Sequence, residues 1–133
     1  AADPATDGTA ATSSATIAAT VPEFAFIIGL GDINLTYDHA NYDYANDLLY
    51  FSGSDAFKVI TNAAAGGTVS VATSGTLNSG FSGFTATLSV GDIGRGKTDV
   101  TVNVAVKADP AIVVPGTAVV TGGTITVTAT PSW

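Results

Sequence analysis

The chain has 133 residues, of which 46% are hydrophobic and 11% charged, and its formal net charge is −7. This length fits one domain, and the scarcity of charged residues beside many Thr, Val and Gly residues favours sheet over helix. The negative charge argues against nucleic-acid binding, which needs a clustered basic face, and no apolar run approaches the roughly 20 residues that span a bilayer. The absence of cysteine excludes disulfides and thiolate chemistry.

The first 14 residues, AADPATDGTAATSS, are small and polar, and we expect residues 1–14 to be a flexible leader. A start at Ala1-Ala2-Asp3-Pro4, in a chain without Met, is typical of a mature exported protein that has lost its signal peptide. We therefore expect one domain over residues 15–133, located outside the cell or on its surface.

Alternating apolar residues predict the first strand over residues 15–21, which Pro22 ends. The leader extends the same register with small side chains, so the strand can begin near residue 11. Its apolar face then consists of Ala11, Ala15, Ile17, Ala19 and Val21. Such a strand either folds back onto its own sheet or is donated to the next molecule, where it completes that molecule's sandwich.

The same period of two recurs to the end of the chain and predicts eight or nine short strands. Turn-forming residues between them lie at 53–54, 65–67, 74–75, 91–96, 108–110, 115–116 and 122–123, and residues 41–49 have weak helical character. This pattern predicts an all-β fold, an antiparallel β-sandwich of the immunoglobulin-like or jelly-roll type. The predicted apolar faces are Phe24/Phe26/Ile28/Leu30, Ile33/Leu35/Tyr37, residues 48–51, Phe57/Val59, Val69/Val71, Phe84/Ala86/Leu88/Val90, Val100/Val102/Val104/Val106 and Ile125/Val127/Ala129.

Nothing in the sequence resembles an enzyme active site. The single histidine, His39, lies in a segment rich in Asp and Asn, without the strand-to-helix turn that presents a hydrolase nucleophile. The glycine-rich stretches at 29–31 and 91–96 lack the Lys and the following helix of a phosphate-binding loop. We expect the protein not to be an enzyme.

Five of the ten Asp residues fall within residues 32–55. Closely spaced oxygen ligands suit Ca²⁺, the one cofactor candidate, although the spacing is not that of an EF-hand. A long connection rich in turn formers gives the same pattern, and the interleaved tyrosines offer a sugar-binding surface instead. Asn34 begins an N-x-T glycosylation sequon. The candidate Ca²⁺ ligands are Asp38, Asn41, Asp43 and Asp47, and the tyrosines are Tyr37, Tyr42, Tyr44 and Tyr50.

An opening strand ATIAATVPEF, many short strands and a closing strand GGTITVTATPSW resemble subunits of prokaryotic surface filaments. This group includes donor-strand pilins of chaperone–usher systems, TasA-like fibre proteins, and archaeal threads and bundling pili. The resemblance implies a sandwich that polymerises through its N-terminal strand, with the five residues of the apolar face above as donor residues. The chain departs from many chaperone–usher pilins in lacking a disulfide, and from type IV pilins in lacking a long apolar N-terminal helix.

Two functions are therefore expected from the sequence. The first is a structural subunit of an extracellular filament or pilus, with other copies of the same chain as partners and with no nucleic-acid binding or membrane insertion of the mature form. The alternative is a secreted carbohydrate- or calcium-binding β-sandwich module. A filament subunit should self-associate, whereas a binding module should be monomeric with an exposed aromatic surface.

Overall fold

The computed structural model describes residues 10–113 and 120–133, which form two antiparallel sheets and confirm the predicted all-β sandwich. The strands are β1 (Ala25–Ile28), β2 (Thr36–Tyr37), β3 (Leu49–Thr61), β4 (Gly67–Ser74), β5 (Phe81–Leu88), β6 (Asp92–Ile93), β7 (Gly96–Ala108) and β8 (Thr124–Pro131). The five-stranded sheet has the order β1-β3-β7-β5, and β2 pairs with another part of β3. The three-stranded sheet has the order β6-β4-β8.

The core lies between the two sheets and is built from the inward faces of the alternating strands. β3 and β7 contribute most of it, because each has 13 residues and each pairs on both sides. The predicted inward faces of β7 and β8 are confirmed, with the β7 valines buried and the β8 apolar residues half-buried. The fully packed cluster is Phe57, Val59, Val69, Ile93, Val100, Val102 and Val104.

The two ends of the sandwich are defined by the two ends of β3. At one end, the Thr61 pole, β3 finishes at Thr61 opposite Gly96 of β7. At the other end, the Leu49 pole, Leu49 of β3 and Phe81 of β5 both lie opposite Ala108 of β7. β3 spans about 43 Å between these poles at ~3.3 Å per residue.

The predicted turn at Gly53-Ser54 is wrong, because both residues lie inside the continuous strand β3. Gly53 is opposite Val104 in the ladder with β7, and a Cβ there would collide with the backbone oxygen of Asn34. Glycine is therefore needed at this position because the backbone of another segment crosses the strand closely, which is a recurrent reason for glycine inside a strand.

The predicted inward face of β1 is also wrong. Phe26 and Ile28 are 45% and 46% exposed, whereas Ile27 packs against the core. Ile27 lies directly opposite the buried Val59 of β3, and paired residues in a sheet share a face. Because the strand AFII has apolar residues on both faces, its sequence does not determine which face is buried, and the register with β3 does.

Three further predictions concern residues 41–49, 91–96 and 115–116. Residues 41–49 contain turns and a bridge between Asp43 and Leu48, and the one helical element nearby is a 3₁₀ turn at His39–Asn41. The predicted turn at 91–96 includes the short strand β6. The predicted turn at 115–116 lies outside the described residues.

Candidate functional site

The N-terminal segment, residues 10–23, lies outside the sandwich. Every residue in it is exposed, and none belongs to a strand or helix. Ile17 is 96% exposed and Val21 is 72% exposed, although both are large apolar side chains. The structure therefore forms no strand over the predicted residues 11–21, and the large apolar side chains that the sequence assigned to one face of it are exposed.

Asn62 fixes the point where this segment leaves the domain. Its side-chain Nδ2 donates to the carbonyl of Pro22 at 2.8 Å, and its Oδ1 accepts from the backbone N–H of Phe24 at 3.0 Å. The hydroxyl of Thr61 donates to the Phe24 carbonyl at 2.9 Å. These bonds hold residues 22–24 at the Thr61 pole, so the segment departs from that end of the sandwich.

A large apolar groove opens at the opposite end, the Leu49 pole. Its volume is about 1090 Å³, slightly above the ~300–1,000 Å³ of ordinary small-molecule pockets. The floor is the inner face of the larger sheet, and the side walls are residues 30–35 and the start of β8. The principal lining side chains are Leu35, Leu49, Phe51, Leu77, Phe81, Phe84, Val104, Val106 and Ile125.

The groove lies along an open strand edge. Within the described residues β8 pairs with β4 alone, so its other edge offers backbone N–H and C=O groups to a further strand. Ile125, Val127 and Ala129 of β8 point into the sandwich. At the Thr61 pole β1 contacts β8 and closes this seam, whereas residues 30–35 leave it open at the Leu49 pole.

The groove wall formed by residues 30–35 is held against β3. The carboxylate of Asp55 accepts a hydrogen bond from the backbone N–H of Gly31 at 2.8 Å. The missing side chain of Gly53 lets the backbone of Asn34 cross β3 closely. No local sequence pattern reveals this groove, because its parts come from separate strands and loops that only the tertiary fold brings together.

The acidic and tyrosine-rich segment forms a separate exposed surface. The hydroxyl of Tyr37 and Nδ1 of His39 are 2.7 Å apart, and the rings of Tyr42 and Tyr44 meet edge to face at 4.7 Å. Desolvation raises the pKa of Tyr42, and the nearby Asp47 carboxylate adds to this effect. The neighbouring rings are tilted to one another by 45° to 60°, so they do not form one flat stacking platform.

Three of the four candidate Ca²⁺ ligands make side-chain hydrogen bonds within the protein. Asp38 accepts from the side chain of Asn41 at 2.7 Å, and Asp43 is bonded to Asn46 and Lys107. Asp47 is exposed and has a positive φ of 53° in the turn. Over residues 10–113 and 120–133, no three His, Cys, Asp or Glu side chains are grouped as metal ligands. Ca²⁺ binding stays a prediction, as does glycosylation of the exposed Asn34.

Searches against known proteins give no relative from which a function can be transferred: no protein family, curated protein or solved structure matches the chain. In the described part of the chain, no helix has the length and apolar character to cross a membrane. The features of the molecule that bear on function are therefore the exposed N-terminal segment and the apolar groove.

Proposed function

We propose that the protein is a structural subunit of an extracellular filament, which polymerises head to tail by inserting its N-terminal strand into the next subunit. The observation that carries this proposal is the exposure of Ile17 and Val21 on a segment that its own domain does not bury. The alternation of apolar and polar residues over 15–21 is the pattern of a strand that needs a core on one face.

The composition of the segment supports strand exchange between subunits. Residues 10–21 carry no charged side chain, so no ionised group has to be desolvated when they enter another molecule. An inserted strand gains main-chain hydrogen bonds, and its alternate side chains fill pockets. Burying Ile17 and Val21 contributes ~1.5–3 kcal/mol for each side chain.

The contact is also of the kind that generates a polymer. The donated segment and the surface that receives it are different parts of the chain, which makes the contact heterologous. Heterologous contacts that do not close into a ring produce open filaments.

The proposal predicts that Ile17→Asp abolishes polymer and leaves the subunit folded. A charge buried in an apolar site costs several kcal/mol, which corresponds to a loss of more than about 100-fold in the association constant. Pelleting by ultracentrifugation and negative-stain electron microscopy measure polymer, and thermal unfolding of the unassembled fraction measures the fold. A chain lacking residues 1–21 should likewise give monomers.

Thr16→Asp is the matched control, because it introduces the same charge one residue away on the opposite face of the predicted strand. We expect Thr16→Asp to polymerise, and we expect its unassembled fraction to have the same melting temperature as the Ile17→Asp subunit. Normal filaments from Ile17→Asp, or monomers from the intact chain, would contradict the proposal.

A carbohydrate-binding module is the second candidate, and a polar depression on the outer face of the larger sheet favours it. Its volume is about 540 Å³. Its lining presents hydroxyl and amide groups that suit a neutral sugar, including Ser52, Thr85, Asn103 and Tyr50. In this case the intact chain remains monomeric, and Tyr50→Ala weakens binding to soluble polysaccharides in affinity electrophoresis.

A further inference from the structure

The receiving site for the donated strand follows from the position of the open strand edge. Sandwich completion requires an unpaired strand with an apolar floor beside it, and β8 with the groove at the Leu49 pole supplies both. The groove is also deficient in charge, since Asp32 is the one ionisable residue among the described residues that line it. An uncharged apolar strand therefore fits it better than a charged ligand.

The two poles determine how a strand enters. The N-terminal segment leaves its own domain at the Thr61 pole, whereas the groove opens at the Leu49 pole. A subunit therefore presents its segment at one end and its groove at the other, about 43 Å apart along β3 at ~3.3 Å per residue. Stacking the Thr61 pole of one copy on the Leu49 pole of the next brings the segment to the groove.

This stacking also fixes the strand direction. Val21, next to the anchored Pro22, lies at the mouth of the groove, and residues of lower number lie deeper. β8 runs from Thr124 towards the Thr61 pole, because Pro131 pairs with Gly67 just after the Ala63–Gly66 turn. Thr124 and Ile125, its first two residues, line the groove. The inserted strand and β8 consequently run in opposite directions, which gives an antiparallel pair.

The length of the groove selects the inserted residues. Its floor on β7 extends from Val104 to Ala108, a run of about 17 Å at ~3.3 Å per residue. Five residues of the segment, 17–21, cover the same distance and place Ile17, Ala19 and Val21 on the inward face. Ile17 then reaches the deep end of the groove, beside Ile125 of β8.

We infer that the groove between β8 and residues 30–35 receives residues 17–21 of a second copy of this chain, as a strand antiparallel to β8. This assignment rests on the proposed filament function, and it specifies the surface and register that the function alone does not. Insertion of a chain's own segment is the contrasting arrangement. It would require a reversal at Pro22 and would place the segment parallel to β8.

Disulfide trapping tests the assignment with little background, because the chain has no cysteine of its own. A disulfide requires Cα atoms within about 7 Å, so it reports direct neighbours. Ile17→Cys is combined either with Ile125→Cys on β8 or with Leu35→Cys on the opposite wall of the groove. Two independent pairs are used so that misfolding of one variant does not decide the outcome. The control pair is Ile17→Cys with Ala72→Cys, since Ala72 is exposed on the outer face of β4. Each full-length variant is assembled under reducing conditions, oxidised and run on a non-reducing gel.

The expected result is a ladder of covalent oligomers from either groove pair and none from the Ala72 pair. Filaments without a ladder from both groove pairs overturn the groove assignment and leave the filament proposal standing. A cross-linked monomer that migrates faster overturns donation between copies, because it places the segment in its own groove. The absence of both filaments and a ladder overturns both proposals.

Discussion

At the scale of single residues, the clearest electrostatic interaction is the ion pair between Asp43 and Lys107. Nζ of Lys107 lies 2.9 Å from Oδ2 of Asp43, and this contact ties the turn at 43–48 to β7. Hydrogen bonds from the Asn46 side chain and from Lys107 lower the pKa of Asp43 from 3.8 to about 2. The residue proposed on sequence as a Ca²⁺ ligand thus has a structural role in this turn.

The lowered pKa of Asp43 predicts a pH-dependent contribution to stability. A carboxylate whose pKa is lower in the folded state than in the unfolded state stabilises the fold above its unfolded pKa. This contribution is fully present above about pH 4 and is lost as the pH falls towards 2. Asp43→Asn should therefore be less stable than the parent at pH 6, with a difference that shrinks between about pH 4 and pH 2.

Thermal unfolding of parent and Asp43→Asn at steps between pH 2 and pH 6 measures this effect. Lys107→Gln removes one of the two hydrogen-bonding partners of Asp43. Its stability difference from the parent should also shrink as the pH falls, but by less than that of Asp43→Asn. A difference between parent and Asp43→Asn that stays constant over this range would show that the charge of Asp43 does not stabilise the fold.

At the scale of elements, Gly66 allows the turn between β3 and β4 to lie directly against the backbone of β6. Its φ of +70° is a left-handed conformation, and a Cβ there would collide with the carbonyl oxygen of Ile93 in β6. A left-handed conformation alone costs an L-residue ~1–2 kcal/mol. We predict that Gly66→Ala lowers the free energy of unfolding by more than about 2 kcal/mol.

Gly91 provides the matched control for this prediction. A Cβ at Gly91 would meet no atom within 4 Å, and its backbone is not left-handed. Gly91→Ala should leave the free energy of unfolding unchanged or raise it by up to ~1 kcal/mol, because alanine lowers the conformational entropy of the unfolded chain. Urea unfolding of both unassembled variants measures the difference, and equal destabilisation by the two substitutions would contradict the structural explanation.

The strands that the sequence predicts well are those with one apolar face and one polar face. In β8, four threonines alternate with Ile125, Val127 and Ala129, and the structure places the apolar set inward. β1 has apolar residues on both faces, so only its pairing with Val59 decides that Ile27 points inward. Gly53 is equally ambiguous, because a glycine in a turn and a glycine under a crossing segment have the same local sequence.

The same distinction applies to the candidate site. The sequence alone singles out the N-terminal segment, because its alternation of apolar and polar residues predicts a strand with one apolar face. The sequence does not single out the groove, because Phe51, Val104 and Ile125 come from three strands that are distant in sequence. Whether a strand lacks a partner on one edge is a property of the sheet order and not of the strand itself.

At the scale of the whole molecule, charge opposes assembly and the proposed contact avoids it. Each subunit has a formal net charge of −7, so copies that approach one another repel. Residues 10–21, which contain the proposed donor strand, carry no charge, and Asp32 is the one ionisable residue among the described residues that line the groove. In the proposed contact the attraction is therefore apolar and main-chain in origin, whereas the long-range force between subunits is repulsive.

This division predicts that salt promotes polymerisation. The Debye length falls from about 30 Å at 0.01 M salt to about 10 Å at 0.1 M, which screens the repulsion while apolar contacts persist. We expect the critical concentration, measured by pelleting at constant pH, to fall several-fold over this range. Asp32→Asn, which removes the carboxylate at the groove, should lower it at 0.01 M and reduce its salt dependence. A critical concentration that rises with salt would instead show that ion pairs hold the subunits together, and this would contradict an uncharged donor strand as the main contact.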